Sequence, residues 1–198
     1  MLFSGRLGMM AFVAAQLGCV QASPSPSAKP APAAEIEKLA STELARDLID
    51  GRVGVLVHVA RFRFHPAGAS IGQLGRWGDI VEALGLDPLA DVDRAFVTTF
   101  QASDLNTVNV LELNASDERV RSGFRALGGN DSSATFDLKN GPDVFVALVA
   151  GHRLVSAPLH VAPKVWALGK TEPLPRPEAK EAARFFAFEP YATLESPL

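Results

Sequence analysis

The feature that most constrains folding is a short apolar run followed by a proline-rich segment. The run from Leu7 to Leu17 carries no charge and follows Arg6. It is too short to cross a bilayer, which takes about 20 apolar residues. A basic start, an apolar stretch of this length and small residues at its end are typical of a secretory signal. We therefore predict a signal peptide over residues 1–22 and export of the chain.

Two processing sites compete at the end of this signal. Cleavage after Ala22 would release a soluble protein that begins at Ser23. Alternatively, Gly18-Cys19 resembles the end of a bacterial lipobox, although Gln16 stands where that family usually has leucine. Cys19 is the only cysteine of the chain. We favour lipidation of Cys19, whose acyl chains would anchor the protein in the cell envelope, in the periplasm at the outer membrane.

Residues 23–34 read SPSPSAKPAPAA, a composition that cannot bury a core and is typical of an extended linker. The remaining residues, 35–198, are enough for one domain. With 47% hydrophobic and 21% charged residues, the composition is that of an ordinary globular protein. We predict a single α+β domain over residues 35–198.

Charge and cysteine content exclude several classes of protein. The chain has 19 basic and 22 acidic residues, and this net charge of −3 argues against general nucleic-acid binding. A single cysteine excludes an intramolecular disulfide and a cysteine-rich metal site. We therefore expect no cofactor and no nucleic-acid partner.

Alternating apolar residues predict the strands of the domain. Over residues 52–64, valine occupies every second position at first, and phenylalanine then alternates with arginine. Polar stretches between the later runs indicate hairpins. The further predicted strands lie at residues 91–100, 107–113, 134–138, 144–149 and 153–156.

Apolar residues at helical spacing predict two main helices. In the first, over residues 70–84, Ser70 and Gln73 form a capping-box pattern and Trp77 lies on the apolar face. The second spans residues 116–127. Shorter helices are predicted at residues 34–49, 158–168 and 178–186.

The resulting order of strand, helix, two strands, helix and further strands is that of a ferredoxin-like (split βαβ) sandwich. We therefore predict an α+β fold with an antiparallel sheet and both main helices on one face. A proline-rich helical extension is expected to follow from residue 158.

Three short motifs resemble those of a group of secreted proteins. Residues 85–94 (GLDPLADVDR) lead from a helix into a strand, and residues 151–158 and 178–184 follow with a similar layout. This pattern resembles uncharacterised secreted or lipid-anchored proteins of myxobacterial type, over about residues 53–190. The resemblance implies export and no known activity.

One motif suggests catalysis. Residues 68–72 match the G-x-S-x-G pattern of a serine hydrolase, in which Ser70 would be the nucleophile. Asp143, with His152 or His160, follows in the order that a triad requires. The same serine is explained as a helix N-cap, which is the interpretation that we prefer.

Three further groups of polar residues favour structural roles. The four histidines lack metal-ligand spacing. Three aspartates fit turns rather than an EF-hand loop. Cations near the first strand fit either a patch for anionic lipid or polysaccharide or, as we prefer, a solvated strand face. The aspartates are Asp87, Asp91 and Asp93, and the cations are Arg61, Arg63, His65 and Arg76.

Together these patterns predict an exported, lipid-anchored envelope protein that serves as a non-enzymatic binding or structural module. Its partner, a protein or an envelope polymer, stays open. The alternative is a small serine hydrolase that uses Ser70.

Overall fold

The computed structural model describes residues 40–100, 106–138, 142–150 and 152–188. These residues fall within one unit, which spans Glu37–Leu198. The predicted signal peptide with Cys19 and the linker over residues 23–34 lie outside the described residues.

The described residues form an α+β structure around a seven-stranded sheet. All neighbouring strands are antiparallel, as predicted, and their order is β4-β5-β6-β3-β2-β1-β7. The strands are β1 (Val53–His58), β2 (Val92–Thr99), β3 (Thr107–Leu113), β4 (Ser133–Phe136), β5 (Val144–Val149), β6 (Arg153–Pro158) and β7 (Ala183–Ala187).

The predicted ferredoxin-like order is wrong. That order needs β1 and β2 to run parallel with another strand between them. Instead, β1 and β2 are adjacent and antiparallel, and His58 at the end of β1 lies opposite Arg94 near the start of β2. The connection between them therefore begins and ends at the same end of the sheet. Apolar periodicity does not encode strand direction, so the sequence pattern fits either arrangement.

Helices cover both faces of the sheet, whereas the sequence predicted them on one. We call the side that carries Ala95 and Leu111 the first face, and the side that carries Phe96 and Val110 the second face. The helices are α1 (Ser41–Asp47), α2 (Gly68–Ile71), α3 (Trp77–Ala83), α4 (Asp117–Ala126) and α5 (Ala162–Val165), with 3₁₀ turns at Val59–Arg61, Leu74–Arg76, Leu159–Val161 and Trp166–Lys170.

The two predicted main helices do share the first face. Trp77 of α3 and Phe124 of α4 are both fully buried in its apolar core. Val120 lies one turn before Phe124, as the helical spacing predicts. Ser116 caps α4, because its side chain accepts a hydrogen bond from the backbone N–H of Arg119.

The second face is covered by shorter pieces of chain. The helix α1 and the residue that follows it contribute Ala45 and Leu48 to this core, and α5 contributes Val165. Leu168 and Leu174, which lie in a 3₁₀ turn and an extended segment, complete it. Each of these five side chains is less than a tenth exposed.

The predicted helix over residues 70–84 is broken. Gly75 and Arg76 have φ angles of 60° and 57°, so α3 begins only at Trp77. The side chain of Asn109 donates a hydrogen bond of 3.0 Å to the Gly75 carbonyl and so holds this kink. Ser70 lies inside α2 and does not cap it, because the N-cap position is Ala67, so the predicted capping box is absent.

Two other predicted elements change type. The strand at residues 52–64 stops at His58, and a 3₁₀ turn follows. The helix predicted at 178–186 is instead β7, which pairs with β1 from Ala183 to Ala187. Phenylalanine has high strand propensity, and the free edge of β1 supplies the partner. The predicted C-terminal helical extension is therefore wrong at these residues.

Candidate functional site

The serine-hydrolase residues are not brought together in the described part of the chain. Ser70 is exposed in α2, and its hydroxyl makes no hydrogen bond with a histidine among the described residues. The Nδ1 atom of His152 lies 2.7 Å from a carboxylate oxygen of Asp117. The carboxylate that orients this histidine is therefore not Asp143, as the sequence suggested.

The cations near the first strand do not form one patch, because each binds a different segment. Arg61 donates to the carbonyls of residues 178 and 179, and Arg63 donates to those of residues 89 and 90. Arg76 forms an ion pair with Asp79 at 2.8 Å. Arg61 and Arg63 therefore brace loops, whereas Arg76 is paired within the start of α3.

Asp87 and Asp91 build turns, as predicted, whereas Asp93 lies in β2 beside Arg94. Asp87 accepts hydrogen bonds of 2.8 and 2.9 Å from the backbone N–H groups of Leu89 and Ala90. Asp91 accepts one from the N–H of Asp87 and pairs with Arg119. Burial raises the pKa of Asp91, but the bonds from Asp87 and Arg119 outweigh it and lower that pKa. The described residues contain no group of three or more possible ligands that would hold a metal ion.

A row of four ionisable residues crosses the second face of the sheet. His58 lies opposite Arg94, Arg94 opposite Glu112, and Glu112 opposite Arg153. The row therefore passes over β1, β2, β3 and β6 at one level. We call these four residues the polar row. His58 and Arg153 are 2% and 4% exposed, so most of the row is shielded from water.

The centre of the polar row binds the backbone of Leu174. Arg94 and Glu112 form an ion pair, and Arg94 also donates a hydrogen bond to the Leu174 carbonyl. Glu112 accepts a hydrogen bond of 2.5 Å from the N–H of the same residue. Both polar groups of this buried residue are satisfied, as a chain segment without secondary structure requires.

Arg153 ends the row and binds mostly neutral oxygens. It donates to the hydroxyls of Ser41 and Thr171 at 3.1 and 2.8 Å. It also donates to the carbonyls of residues 150, 169, 171 and 172. Burial lowers the pKa of Arg153, and the Glu112 carboxylate partly offsets this effect. The guanidinium thus joins the start of α1 and the segment after α5 to β6.

His58 begins the row and has no hydrogen bond to either ring nitrogen among the described residues. Its Nε2 atom lies 3.8 Å from a carboxylate oxygen of Glu181, which is itself bonded to Arg184. Burial lowers the pKa of His58, the Glu181 charge opposes this, and Arg94, Arg61 and Arg184 lower it further. Near neutral pH the ring is therefore uncharged.

A cleft of about 370 Å³ lies at the far end of the second-face core. Its walls combine apolar side chains with an acidic, an amide and two basic groups. Such a cleft has room for a small molecule with an apolar body and an ionised end. Its lining residues are Leu48, Ile49, Asp50, Phe100, Asn106, His160, Val161 and Lys164.

Sequence reasoning missed the polar row. Its signal is an ionisable residue that replaces an apolar one on the buried side of a strand, as at Arg94 and Glu112. The row can be recognised only once the strand register is known, because the four residues are far apart in sequence. The sequence suggested His160 as a catalytic partner of Ser70, whereas it lies in the wall of the cleft.

Comparison with protein-family models, curated proteins and solved structures finds no match. The resemblance to secreted proteins of myxobacterial type therefore stays a prediction. Within the described ranges, no helix has the length and apolar character that a membrane span needs.

Proposed function

We propose that this chain is an exported, lipid-anchored protein of the bacterial envelope, located in the periplasm at the outer membrane. The observation that carries the proposal is the position of Cys19. The only cysteine of the chain follows Gly18 at the end of the apolar run, and a segment rich in serine, proline and alanine begins four residues later, at Ser23. Acyl chains on Cys19 supply membrane affinity, and the segment over residues 23–34 holds the domain away from the bilayer.

In this proposal the folded domain is a non-enzymatic binding or structural module. The cleft supports binding, because its apolar walls would bury part of a small molecule while charged groups at its rim fix the orientation. Asp50 would bind a cationic group, and Lys164 an anionic one. The alternative, a serine hydrolase, depends on Ser70 alone.

Metabolic labelling with a fatty-acid analogue tests the anchor. We expect label on the wild-type chain and on the control Val20→Ala, and none on Cys19→Ser. Membrane fractionation of the same cells should place the labelled chains with the outer membrane and Cys19→Ser in the soluble periplasm. Label that persists in Cys19→Ser contradicts the anchor, and a soluble wild-type chain indicates cleavage after Ala22.

A fluorophosphonate probe tests the non-enzymatic assignment. We expect no labelling of the purified chain, because no histidine in the described ranges is hydrogen-bonded to Ser70. Ser122 is an exposed serine on α4 and provides the matched control. Labelling that disappears in Ser70→Ala but persists in Ser122→Ala would overturn the assignment in favour of the hydrolase.

A further inference from the structure

The strand β7 presents an unpaired backbone edge in the described part of the chain. On its inner side, the N–H of His58 donates to the Ala182 carbonyl, and the N–H of Phe188 donates to the Arg52 carbonyl, both at 2.9 Å. Alternate residues of an antiparallel strand direct their polar backbone groups to opposite sides. The N–H and C=O groups of residues 183, 185 and 187 therefore point away from the sheet.

Four of the five side chains of β7 are apolar, and none of the five is fully buried. Phe185 is 77% exposed, and it lies on the first face opposite Val55. On the second face, Phe186 and Phe188 are partly buried and stack on each other with ring centroids 5.8 Å apart. An apolar strand of this kind at the end of a sheet is a ready template for pairing with another strand.

The usual protection of an edge strand is weak in β7. Exposed edges are commonly guarded by charged residues, proline or bulges. The single charged residue of β7 is Arg184, and hydrogen bonds of 2.5 and 2.8 Å hold its guanidinium against Glu181 of the same chain. The opposite edge, β4, has only four residues and places the polar Thr135 at an exposed position.

The sequence of β7 is complementary to itself. When two copies of Ala183–Ala187 pair antiparallel about Phe185, each terminal alanine faces an alanine and the two phenylalanines face each other. Arg184 then faces Phe186 of the second copy, a pair that attracts through the ring quadrupole. No like charges meet across the two-fold axis, as an isologous interface requires. A second copy is the partner that always offers this matching strand.

We propose that two copies of this chain pair through β7 in antiparallel orientation. The pairing forms a two-fold dimer in which one continuous sheet runs through both copies. The outward backbone groups of residues 183, 185 and 187 become hydrogen-bonded, and the Phe185 side chain is covered by its counterpart. A single strand pair buries less than a standard protein interface, so the dimer forms in a concentration-dependent way.

Sedimentation velocity on the full chain tests this proposal, with Cys19→Ser as the background to prevent lipidation. We expect a monomer–dimer equilibrium in the background and in Thr135→Lys, the matched change at the opposite edge. Phe185→Lys places two like charges across the axis and should weaken dimerisation by roughly tenfold or more.

A second measurement decides the outcome if Phe185→Lys does not fold, as judged by circular dichroism. In the Cys19→Ser background, Phe185→Cys should form a disulfide-linked dimer under mild oxidation, because opposed residues of paired strands lie within bridging distance. Thr135→Cys should form no disulfide-linked dimer, because β4 lies at the opposite edge of the sheet. A folded chain that stays monomeric at every concentration, or a dimer that Phe185→Lys leaves unchanged, would overturn the proposal.

Discussion

The first face of the sheet is covered by helices that pack through apolar side chains. The second face is covered in part by a segment without regular secondary structure, which the polar row holds in place. On the first face, Trp77 and Phe124 are fully buried within α3 and α4. On the second face, the chain from Gly169 to Leu174 has no helix or strand after its 3₁₀ turn ends at Lys170. Its backbone groups instead find partners in Arg94, Glu112 and Arg153.

The difference shows what each kind of cover requires. Within a helix, backbone groups away from the two ends bond to each other, so a helix depends mainly on apolar burial for docking. An extended segment keeps its N–H and C=O groups unpaired, and burying them without partners costs about 1–3 kcal/mol each. The polar row supplies those partners. Substitutions on the first face therefore test apolar packing, and substitutions in the polar row test hydrogen bonding.

The largest effect is expected on the first face. Trp77→Ala should lower the free energy of unfolding by about 3–5 kcal/mol, because a buried aromatic ring leaves a cavity. Chemical denaturation monitored by circular dichroism measures this loss. Trp166 is 43% exposed on the second face, and Trp166→Ala should cost much less. Equal losses in the two variants would contradict the assignment of Trp77 to the main core.

A smaller and more local effect is expected at Arg153. Arg153→Met should lower the free energy of unfolding by about 1–3 kcal/mol, since buried carbonyls lose their donor. Hydrogen exchange should speed up mainly at residues 169–174. The control is Arg125→Met on α4, where an exposed guanidinium binds Glu118 and Asp131. Unchanged exchange in Arg153→Met would show that the polar row does not hold this segment.

The smallest effect depends on pH and concerns His58. Its folded-state pKa lies below the ordinary value of 6.5, so the unfolded chain takes up a proton first as the pH falls. His58 therefore does not lower the free energy of unfolding above pH 6.5. Below this pH the free energy of unfolding declines, until His58 of the folded protein is also protonated. Denaturation at several pH values should show this slope in the wild type and in the exposed control His65→Asn. The slope should disappear in His58→Leu, and a retained slope would assign it to another group.

The sequence was informative where each residue acts within its own element. Trp77, Val120 and Phe124 were placed on buried helix faces by spacing alone, and the hairpins β2–β3 and β5–β6 followed from alternating residues. The sequence was less informative where pairing with another element determines the secondary structure. The segment Ala183–Ala187 is compatible with a helix until β1 offers it an edge.

The candidate site was harder to predict than the fold. The polar row depends on the register of four strands, which is a property of the folded sheet and not of any local pattern. His58 and Arg153 are separated by most of the domain, yet they stand at one level. The kink at Gly75 was missed for a related reason. A glycine fits a helical pattern, and its left-handed conformation is held by contacts with residues distant in sequence, such as the hydrogen bond from Asn109.

The attachment of Ser41 to the polar row has a mechanical consequence. Any tension on the chain before the domain enters the fold at α1, whose first residue is hydrogen-bonded to Arg153 and Thr171. The load passes through these bonds into β6, an interior strand of the sheet, and does not simply unravel a terminal helix. Ser41→Ala should therefore lower the force at which α1 detaches when the domain is stretched from its N-terminal end.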